Sequence, residues 1–423
     1  MQQTLNPPQT WPVINRILFR FFSIYLLLYH FAGYIPQVWW DNAVTRAGQL
    51  LLRKDYSIQA WPMGSGDTTF NYLQLFCLLL IALTGCLLWS VIDRKRKNYD
   101  KAQYWVMVPL CYTLAMATLK YGMAKVFPGQ FEELSLYKLE QPLGESSPMG
   151  LAWTFMGYSR GYTIFSGIAE CLGGFLLLFR RTRLLGALVC IAVMTNVVAL
   201  NFFYDICVKL YSGHLLLTAL FLIMPDMKRM VRFFILQQPV SITTQYYPVF
   251  TTRWKRYVFN SLRYAAVVWV LWYTVKIGIY VDRSYQKRHI KGAIFGTYEV
   301  FSFSPLLKDQ LATSTHTFPP LKKVRPAWKT LYFEKGGILL YQEAENMKGA
   351  AVNADTVTHI LNWKAQDDTE SVHMHYTFNG DTLTLKGTIG NDSVLVSLRR
   401  KDRDHSLLTN RGFHWVNETP FNK

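Results

Sequence analysis

The stretch of sequence that decides the fold is Thr163-Ile-Phe-Ser-Gly-Ile-Ala-Glu170-Cys-Leu-Gly-Gly-Phe-Leu-Leu-Leu-Phe179, an apolar run with one carboxylate near its middle. The run is about long enough to cross a bilayer. An ionisable side chain at that depth costs roughly 2.5–3.5 kcal/mol on insertion scales, so we expect Glu170 to face the interior of a helix bundle. Gly173 and Gly174 lie on the same side of the helix, where small residues let a second helix approach closely. Glu170 is then either a functional group or one partner of a structural ion pair or hydrogen bond.

The composition of the whole chain also indicates a membrane protein. Hydrophobic residues make up 51% of the 423 residues, and charged residues only 17%, against about 25% in soluble domains. Apolar runs of about 20 residues are typical of membrane-spanning helices. The first run lacks a following small-x-small cleavage site, so it is predicted to be a signal anchor. Together the runs predict seven spans, at residues 17–34, 72–92, 105–126, 163–179, 184–204, 210–224 and 263–281.

Basic residues mark one side of the predicted membrane. They follow the second, fourth and sixth spans, whose loops lie on the same side if the helices alternate. Because cytoplasmic loops are enriched in Lys and Arg, the N-terminus is predicted to be cytoplasmic and the part after the seventh span to lie outside. Topology thus explains most of the net charge of +18. Without a basic arm interleaved with aromatics we predict no nucleic-acid partner. The basic residues are Arg94, Lys95, Arg96, Lys97, Lys101, Arg180, Arg181, Arg183, Lys228, Arg229, Arg232, Arg253, Lys255 and Arg256.

From about Gly292 the hydrophobic pattern changes to a period of two residues. Six to eight short strands separated by turn signals are expected there, the last at residues 413–417. This pattern predicts an extracytoplasmic antiparallel β-barrel or sandwich. A first strand with Gly296-x-Tyr298 and a closing segment with Arg411 and Trp415 resemble the lipocalin-like pattern. A barrel that holds an apolar ligand and a packed docking module both remain open.

The predicted organisation has five parts. Residues 1–104 hold the first two spans, 105–225 a four-helix core, 226–262 a basic cytoplasmic linker, 263–281 the seventh span and 282–423 the β-rich domain. All six cysteines lie in or at the ends of spans, and no C-x-x-C pair is present, so disulfide exchange is not expected. His373 and His375 share one face of a predicted strand, with His359 conceivable across the sheet. A solvated strand face explains them better than a metal would, and we predict no metal site.

Polar residues of the spans cluster in the predicted outer half of the membrane. We expect Glu170, Lys125 and His214 to form a polar pocket open to the outer face and to carry any catalysis. Lys125 could instead snorkel to the lipid headgroups. Asn201 and Asp205 are spaced one helical turn apart. The predicted lining of this pocket, suited to a quinone or another polar lipid headgroup, is Lys120, Tyr121, Asn196, Asn201 and Asp205.

Three motifs in order resemble the DoxX-like membrane proteins, in the long form found in Bacteroidetes. They are Gly122-Met-Ala-Lys125, Glu170-Cys-Leu-Gly173-Gly174 and Arg180-Arg-Thr-Arg183-x-x-Gly186, and the resemblance covers about residues 105–225. It implies a four-helix membrane core in the bacterial cytoplasmic (inner) membrane. It further implies a subunit of a quinone-reducing oxidoreductase or a membrane partner of a redox enzyme, with a bound quinone and with Lys125 and Glu170 as the residues of interest.

Three functions follow as hypotheses. The first is a quinone- or redox-linked membrane subunit, whose partner is a membrane or extracytoplasmic redox protein. The second is a non-enzymatic scaffold or envelope-biogenesis protein, whose outer β-domain binds a partner or a lipid. The third is a carrier, which is the least supported because no inverted repeat or broken helix pair is visible. The sequence leaves open whether the chain itself is an enzyme.

Overall fold

The computed structural model describes residues 10–52, 66–240, 246–305, 328–343, 346–365, 370–390, 392–401, 406–412 and 414–415. They divide into a helical unit (Met1–Gln130, Pro148–Trp153 and Gly161–Ile279) and a β-rich unit (Phe131–Ser147, Thr154–Arg160 and Tyr280–Lys423). The helices are α1 (Val13–Phe31), α2 (Gln37–Leu52), α3 (Thr69–Ile92), α4 (Asp100–Val126), α5 (Leu136–Glu140), α6 (Pro148–Tyr158), α7 (Arg160–Leu177), α8 (Arg183–Phe203), α9 (Lys209–Ile223), α10 (Met227–Met230), α11 (Arg253–Arg288) and α12 (Leu407–Asn410).

Helical stretches long and apolar enough to cross a membrane number six among the described residues. Each coincides with a predicted span, and the sixth predicted span is part of a longer stretch that continues beyond α9. The remaining predicted span is the fourth, residues 163–179. It corresponds to α7, which does not reach this level of apolarity because it carries Arg160 and Glu170. The six stretches are Val13–Tyr34, Thr69–Ile92, Asp100–Val126, Arg183–Phe203, Lys209–Ile235 and Arg253–Arg288.

Two residues adjacent in sequence, Asp67 and Thr68, cap the N-termini of two different helices. Thr68 caps α3 in a capping box with Asn71. The neighbouring Asp67 caps α9 instead, accepting hydrogen bonds from the backbone N–H groups of Lys209 (2.7 Å) and Leu210 (2.9 Å). A carboxylate is favoured there by the free N–H groups of the helix end. Residues 66–68, just before α3, are thereby fixed to the start of α9.

Glycines bring α7 into close contact with α4 and α8. A Cβ atom added at Gly174 would lie 2.9 Å from the Ala115 carbonyl oxygen on α4, and one at Gly173 would lie 2.7 Å from the Cys190 sulfur on α8. Glycine at these positions lets the helix backbones approach more closely than side chains would allow. The expectation that Gly173 and Gly174 admit neighbouring helices is therefore confirmed.

A buried arginine joins α1 to the junction between α3 and α4. Arg20 donates hydrogen bonds to the Tyr99 hydroxyl (2.8 and 3.0 Å) and to Ser90 Oγ (2.8 Å), and the Tyr99 hydroxyl donates to Asp93 Oδ2 (2.9 Å). A buried charge needs such partners to offset the loss of hydration. The sequence analysis did not single out Arg20, because a lone arginine in an apolar run gives no sign of its distant partners.

The β-rich unit contains a closed eight-stranded barrel. Neighbouring strands pair antiparallel in chain order, and β1 pairs with β8 to close the barrel. This is the up-and-down topology, so the predicted barrel is confirmed and the sandwich is not formed. The strands are β1 (Gly296–Pro305), β2 (Trp328–Phe333), β3 (Ile338–Glu343), β4 (Asn346–Asp355), β5 (Ile360–Ala365), β6 (Val372–Asn379), β7 (Thr382–Ile389) and β8 (Asp392–Arg400).

Apolar side chains fill the described interior of the barrel. Leu331, Leu361, Leu383 and Leu398 are among several inward-facing residues with no exposed surface. A barrel of eight strands is just wide enough for its own side chains to fill it. The buried apolar side chains of the described strands therefore form one core cluster inside the barrel.

Two details of the β-domain differ from the sequence analysis. β4 was not predicted, because its Gly349 and alanines are weak strand formers. The arginine beside Gly296 and Tyr298 is Arg400 of β8, a residue that the lipocalin-like resemblance did not single out. The predicted strand at residues 413–417 lies mostly outside the described residues.

Acidic residues of the segment 131–147, between α4 and α6, bind the barrel. Glu133 pairs with Lys335 (2.5 Å), and Glu140 pairs with Lys401 (3.1 Å) and accepts a hydrogen bond from the Tyr332 hydroxyl (3.3 Å). Ion pairs at exposed positions contribute about 0–1 kcal/mol each, but several acting together can fix a segment. The acidic character of this loop is therefore explained by its contact with the barrel.

The contact between this segment and the barrel should weaken in acid. The hydrogen bond from Lys335 holds the pKa of the Glu133 carboxyl below its ordinary value. Such a group stabilises the contact above the ordinary glutamate pKa of about 4.3, and the contribution is lost as the pH falls through the lowered pKa. We expect hydrogen exchange of the α5 amides, corrected for intrinsic rates, to accelerate over this range. A Glu133→Gln variant should lack the pH-dependent step, and an identical step in both proteins would contradict this assignment.

Candidate functional site

A buried ion pair lies between α4 and α7. Lys125 Nζ is 2.7 Å from Glu170 Oε1, and the two residues are only 6% and 2% exposed. Lys125 comes from the last turn of α4, and Glu170 from the middle of the glycine-lined face of α7. The expected pairing of Glu170 with a lysine is therefore present. The buried position of Lys125 also differs from that of a snorkelling lysine, whose ammonium group reaches the solvent.

The second oxygen of this carboxylate has no hydrogen-bond donor among the residues that the structure describes. Glu170 Oε2 is buried and lacks a hydrogen-bond partner among the described residues. Leaving a buried acceptor unsatisfied costs about 1–3 kcal/mol, and more for a charged group. A hydroxyl, amine or water donated from outside the protein would remove this cost. The site is thus a fixed ammonium beside a carboxylate oxygen with free hydrogen-bonding capacity.

Tyrosine rings extend the site from Lys125 towards α9. The ammonium of Lys125 lies 6.0 Å from the centre of the Tyr121 ring, at the limit of a cation–π contact. The Tyr121 ring in turn lies 6.0 Å from the ring of Tyr211 on α9. Tyr121 was predicted to line the pocket, but Tyr211 was not. Its spacing of three residues from His214 on one helix could have indicated it.

His214 belongs to a neighbouring group formed by α1 and α9. Its Nδ1 lies 2.6 Å from the Leu210 carbonyl oxygen, which can only accept, so Nδ1 carries a proton. In the neutral ring Nε2 then accepts the hydrogen bond from the Tyr25 hydroxyl at 2.6 Å. The ring also stacks on Tyr29, with centroids 3.7 Å apart. The described contacts of His214 are therefore with tyrosines and its own helix, and not with Glu170.

The other predicted pocket residues are dispersed. Asn201 is buried and donates a hydrogen bond to Ser212 Oγ (2.8 Å), which joins α8 to α9. Lys120 and Asn196 lie on exposed positions of α4 and α8. Asp205 does not share a helix face with Asn201, because α8 ends at Phe203 and the backbone of Asp205 turns to a φ of 49°. Its side chain is 83% exposed and pairs with Lys209.

Histidines on the barrel make ordinary surface contacts. His373 Nδ1 lies 2.6 Å from Asn362 Oδ1, and the rings of His359 and His375 are 6.3 Å apart. Within the described ranges no group of three or more His, Cys, Asp or Glu side chains is placed to hold a metal ion.

The architecture is that of a multi-pass helical membrane protein with an appended up-and-down β-barrel. A part of the chain, 128 residues or 30% of its length, is 37% identical to the uncharacterized protein YwoB of Bacillus subtilis (strain 168) and covers 80% of that protein. Over this part the chain belongs to the same family as YwoB. No protein-family model matches the chain, and no solved structure matches it either.

Proposed function

We propose that the helical unit is a redox-linked membrane subunit that binds the headgroup of a quinone or a similar lipid beside Lys125 and Glu170. The unsatisfied Glu170 Oε2 carries this proposal, because it offers an acceptor to a ligand hydroxyl next to a fixed ammonium donor. The resemblance of the motifs around Lys125 and Glu170 to the DoxX-like proteins supports the same ligand class. Tyr121 and Tyr211 add aromatic surface against which a flat ring can pack.

The residues of the site would have different roles towards such a ligand. A bound quinone would supply two-electron, two-proton chemistry. Lys125 donates hydrogen bonds to a ring carbonyl, and Glu170 accepts a hydrogen bond or a proton at Oε2. His214 and Tyr25 offer a neighbouring hydrogen-bonded pair for proton exchange. Electrons pass to or from a partner redox protein, which we place on the extracytoplasmic side with the barrel as its docking module.

The proposed location is the bacterial inner membrane. The basic loops after the second, fourth and sixth predicted spans support a cytoplasmic N-terminus and a periplasmic barrel. A reporter fused after Lys423 should then be active in the periplasm, and cytoplasmic activity would contradict the orientation.

Mass spectrometry of lipids that co-purify with the protein tests the proposed ligand. Wild-type protein solubilised in mild detergent should contain a stoichiometric quinone, and Glu170→Gln should lose most of it while accumulating to a similar level. The matched control is Asn196→Ala, which changes an exposed polar residue of α8 and should retain the quinone. Absence of quinone from the wild type, or equal amounts in all three proteins, would count against the proposal.

A second function is favoured by the packing around the ion pair. A Cβ atom added at Gly167 would lie 2.6 Å from the Gly122 carbonyl oxygen, so α4 and α7 touch beside Lys125 and Glu170. In a non-enzymatic scaffold or envelope-biogenesis protein the pair would only fasten these helices, while the barrel binds a partner or lipid. Protein of this kind should show no specific quinone, and Glu170→Gln should keep its partners in pull-down experiments.

A further inference from the structure

Cationic and aromatic side chains from four segments meet in a second cluster, which does not include Lys125 or Glu170. We call it the basic–aromatic cluster. The segments are the start of α4, the turn between α7 and α8, the chain at residues 246–250 and the first half of α11. The cluster consists of Lys101, Tyr104, Arg180, Tyr246, Tyr247, Phe259 and Arg263.

Tyr247 is the centre of the basic–aromatic cluster and holds two arginines in place. The guanidinium of Arg180 lies 4.2 Å above the centre of its ring, and Arg263 donates a hydrogen bond to its hydroxyl at 3.1 Å. The edge of the Tyr104 ring meets Tyr247 with centroids 5.9 Å apart. Lys101 adds a third cation, 5.9 Å from the Tyr246 ring. The positive charges are thus fixed by aromatic rings and not merely tethered to a mobile loop.

The surroundings of the basic–aromatic cluster are those of a membrane interface. It lies at the ends of apolar helices, where tyrosine and tryptophan rings normally sit at the level of the lipid headgroups. Trp254 and Leu262, which lie close in sequence to Phe259 and Arg263 on α11, are exposed. Lys101 and Arg180 are among the basic residues that orient the chain, and Arg263 lies at the start of the last predicted span. A general excess of positive charge explains orientation, but it does not require guanidinium groups held in a defined geometry.

We infer that the basic–aromatic cluster binds the phosphate headgroup of an anionic phospholipid. Charge complementarity selects the ligand, because Arg180, Arg263 and Lys101 together present guanidinium and ammonium donors suited to phosphate oxygens. Their position beside exposed apolar helix surface favours a lipid over a free anion, since the acyl chains can cover that surface. The inference does not depend on the proposed redox function.

Lipid competition measured on the full-length protein tests the inference. Protein from nanodiscs containing equal amounts of phosphatidylglycerol and phosphatidylcholine is analysed by native mass spectrometry for retained lipid. Each basic residue near an anionic lipid strengthens binding about fivefold, so the Arg180→Gln, Arg263→Gln double variant should lower the phosphatidylglycerol preference about 25-fold. The matched control is Arg399→Gln, which removes a cation that lies over Phe301 on the barrel and should change nothing.

Two further measurements identify the ligand and separate a loss of lipid binding from misfolding of the variant. Tyr247→Phe keeps the ring and removes only the hydroxyl that accepts from Arg263. It should fold and lower the preference by less than the roughly fivefold expected for losing one cation, because Arg263 remains but is held less firmly. Inorganic phosphate added in excess should not displace phosphatidylglycerol. Unchanged preference in both Tyr247→Phe and the double variant would overturn the inference, and full displacement by inorganic phosphate would assign the cluster to a free anion instead.

Discussion

Replacing Lys125 with methionine should destabilise the helical unit by about 3–5 kcal/mol, because it leaves a buried carboxylate without its cation. The two residues are almost fully buried, and Lys125 Nζ lies 2.7 Å from Glu170 Oε1. Glu170→Gln should cost less, since the amide is neutral and can still accept from Lys125. Changing both partners, Lys125→Met with Glu170→Leu, should recover much of the lost stability, because an apolar pair needs no hydration.

Unfolding free energies measured by denaturant titration in bicelles would give these values as a double-mutant cycle. The matched control is Lys120→Met, which removes an exposed lysine from the same helix and should change stability by no more than about 0.5 kcal/mol. Equal effects of Lys125→Met and Lys120→Met would show that the pair is not buried, and the proposed site would then fail with it.

Gly122→Ala should separate α4 from α7 and cost about 1–3 kcal/mol, as overpacking does in a tight core. The added Cβ atom would lie 2.5 Å from the Cys171 sulfur and 2.7 Å from the Gly167 carbonyl oxygen. The carbonyl is backbone and cannot move aside without shifting α7. Because Lys125 lies one turn further along α4, the same shift should lengthen the contact with Glu170 and reduce quinone retention.

The control for this prediction is Gly213→Ala on α9. Nothing lies within 4 Å of the Cβ atom that the substitution would add, so alanine should stabilise the helix by about 0.5–1 kcal/mol through its higher helix propensity. Thermal unfolding of both variants in detergent should move in opposite directions. A neutral or stabilising Gly122→Ala would contradict the close contact of α4 and α7.

The helical architecture was largely predictable because a membrane-spanning helix requires a continuous run of apolar residues, which is visible in the local sequence. Runs of apolar residues predicted the positions of six helices, and the small residues around Glu170 predicted its interior position and the neighbouring helices. The period-two pattern predicted the barrel, since alternate side chains of each strand face its core. β4 was overlooked because alanines and Gly349 weaken that pattern, and its strand pairing depends on β3 and β5.

The site was only partly predictable because its composition depends on tertiary contacts. Lys125 and Glu170 stood out as charges in apolar runs, and the structure joins them. Asp205 could not be placed correctly, since its position depends on where α8 ends. Tyr211 and Arg20 were overlooked because a tyrosine or arginine near a span is common, and only the partners on other helices distinguish these two.

An experimental map of the full-length protein in lipid nanodiscs would test the central claim most directly. That claim is that Glu170 Oε2 accepts a hydrogen bond from a bound ligand and not from the protein. The map should show the Lys125–Glu170 pair intact and non-protein density at hydrogen-bond distance, about 2.6–3.2 Å, from Oε2. The claim would be contradicted if a protein side chain or backbone N–H donated to Oε2, or if Glu170 turned away from Lys125. The ion pair would then only stabilise the packing of α4 against α7.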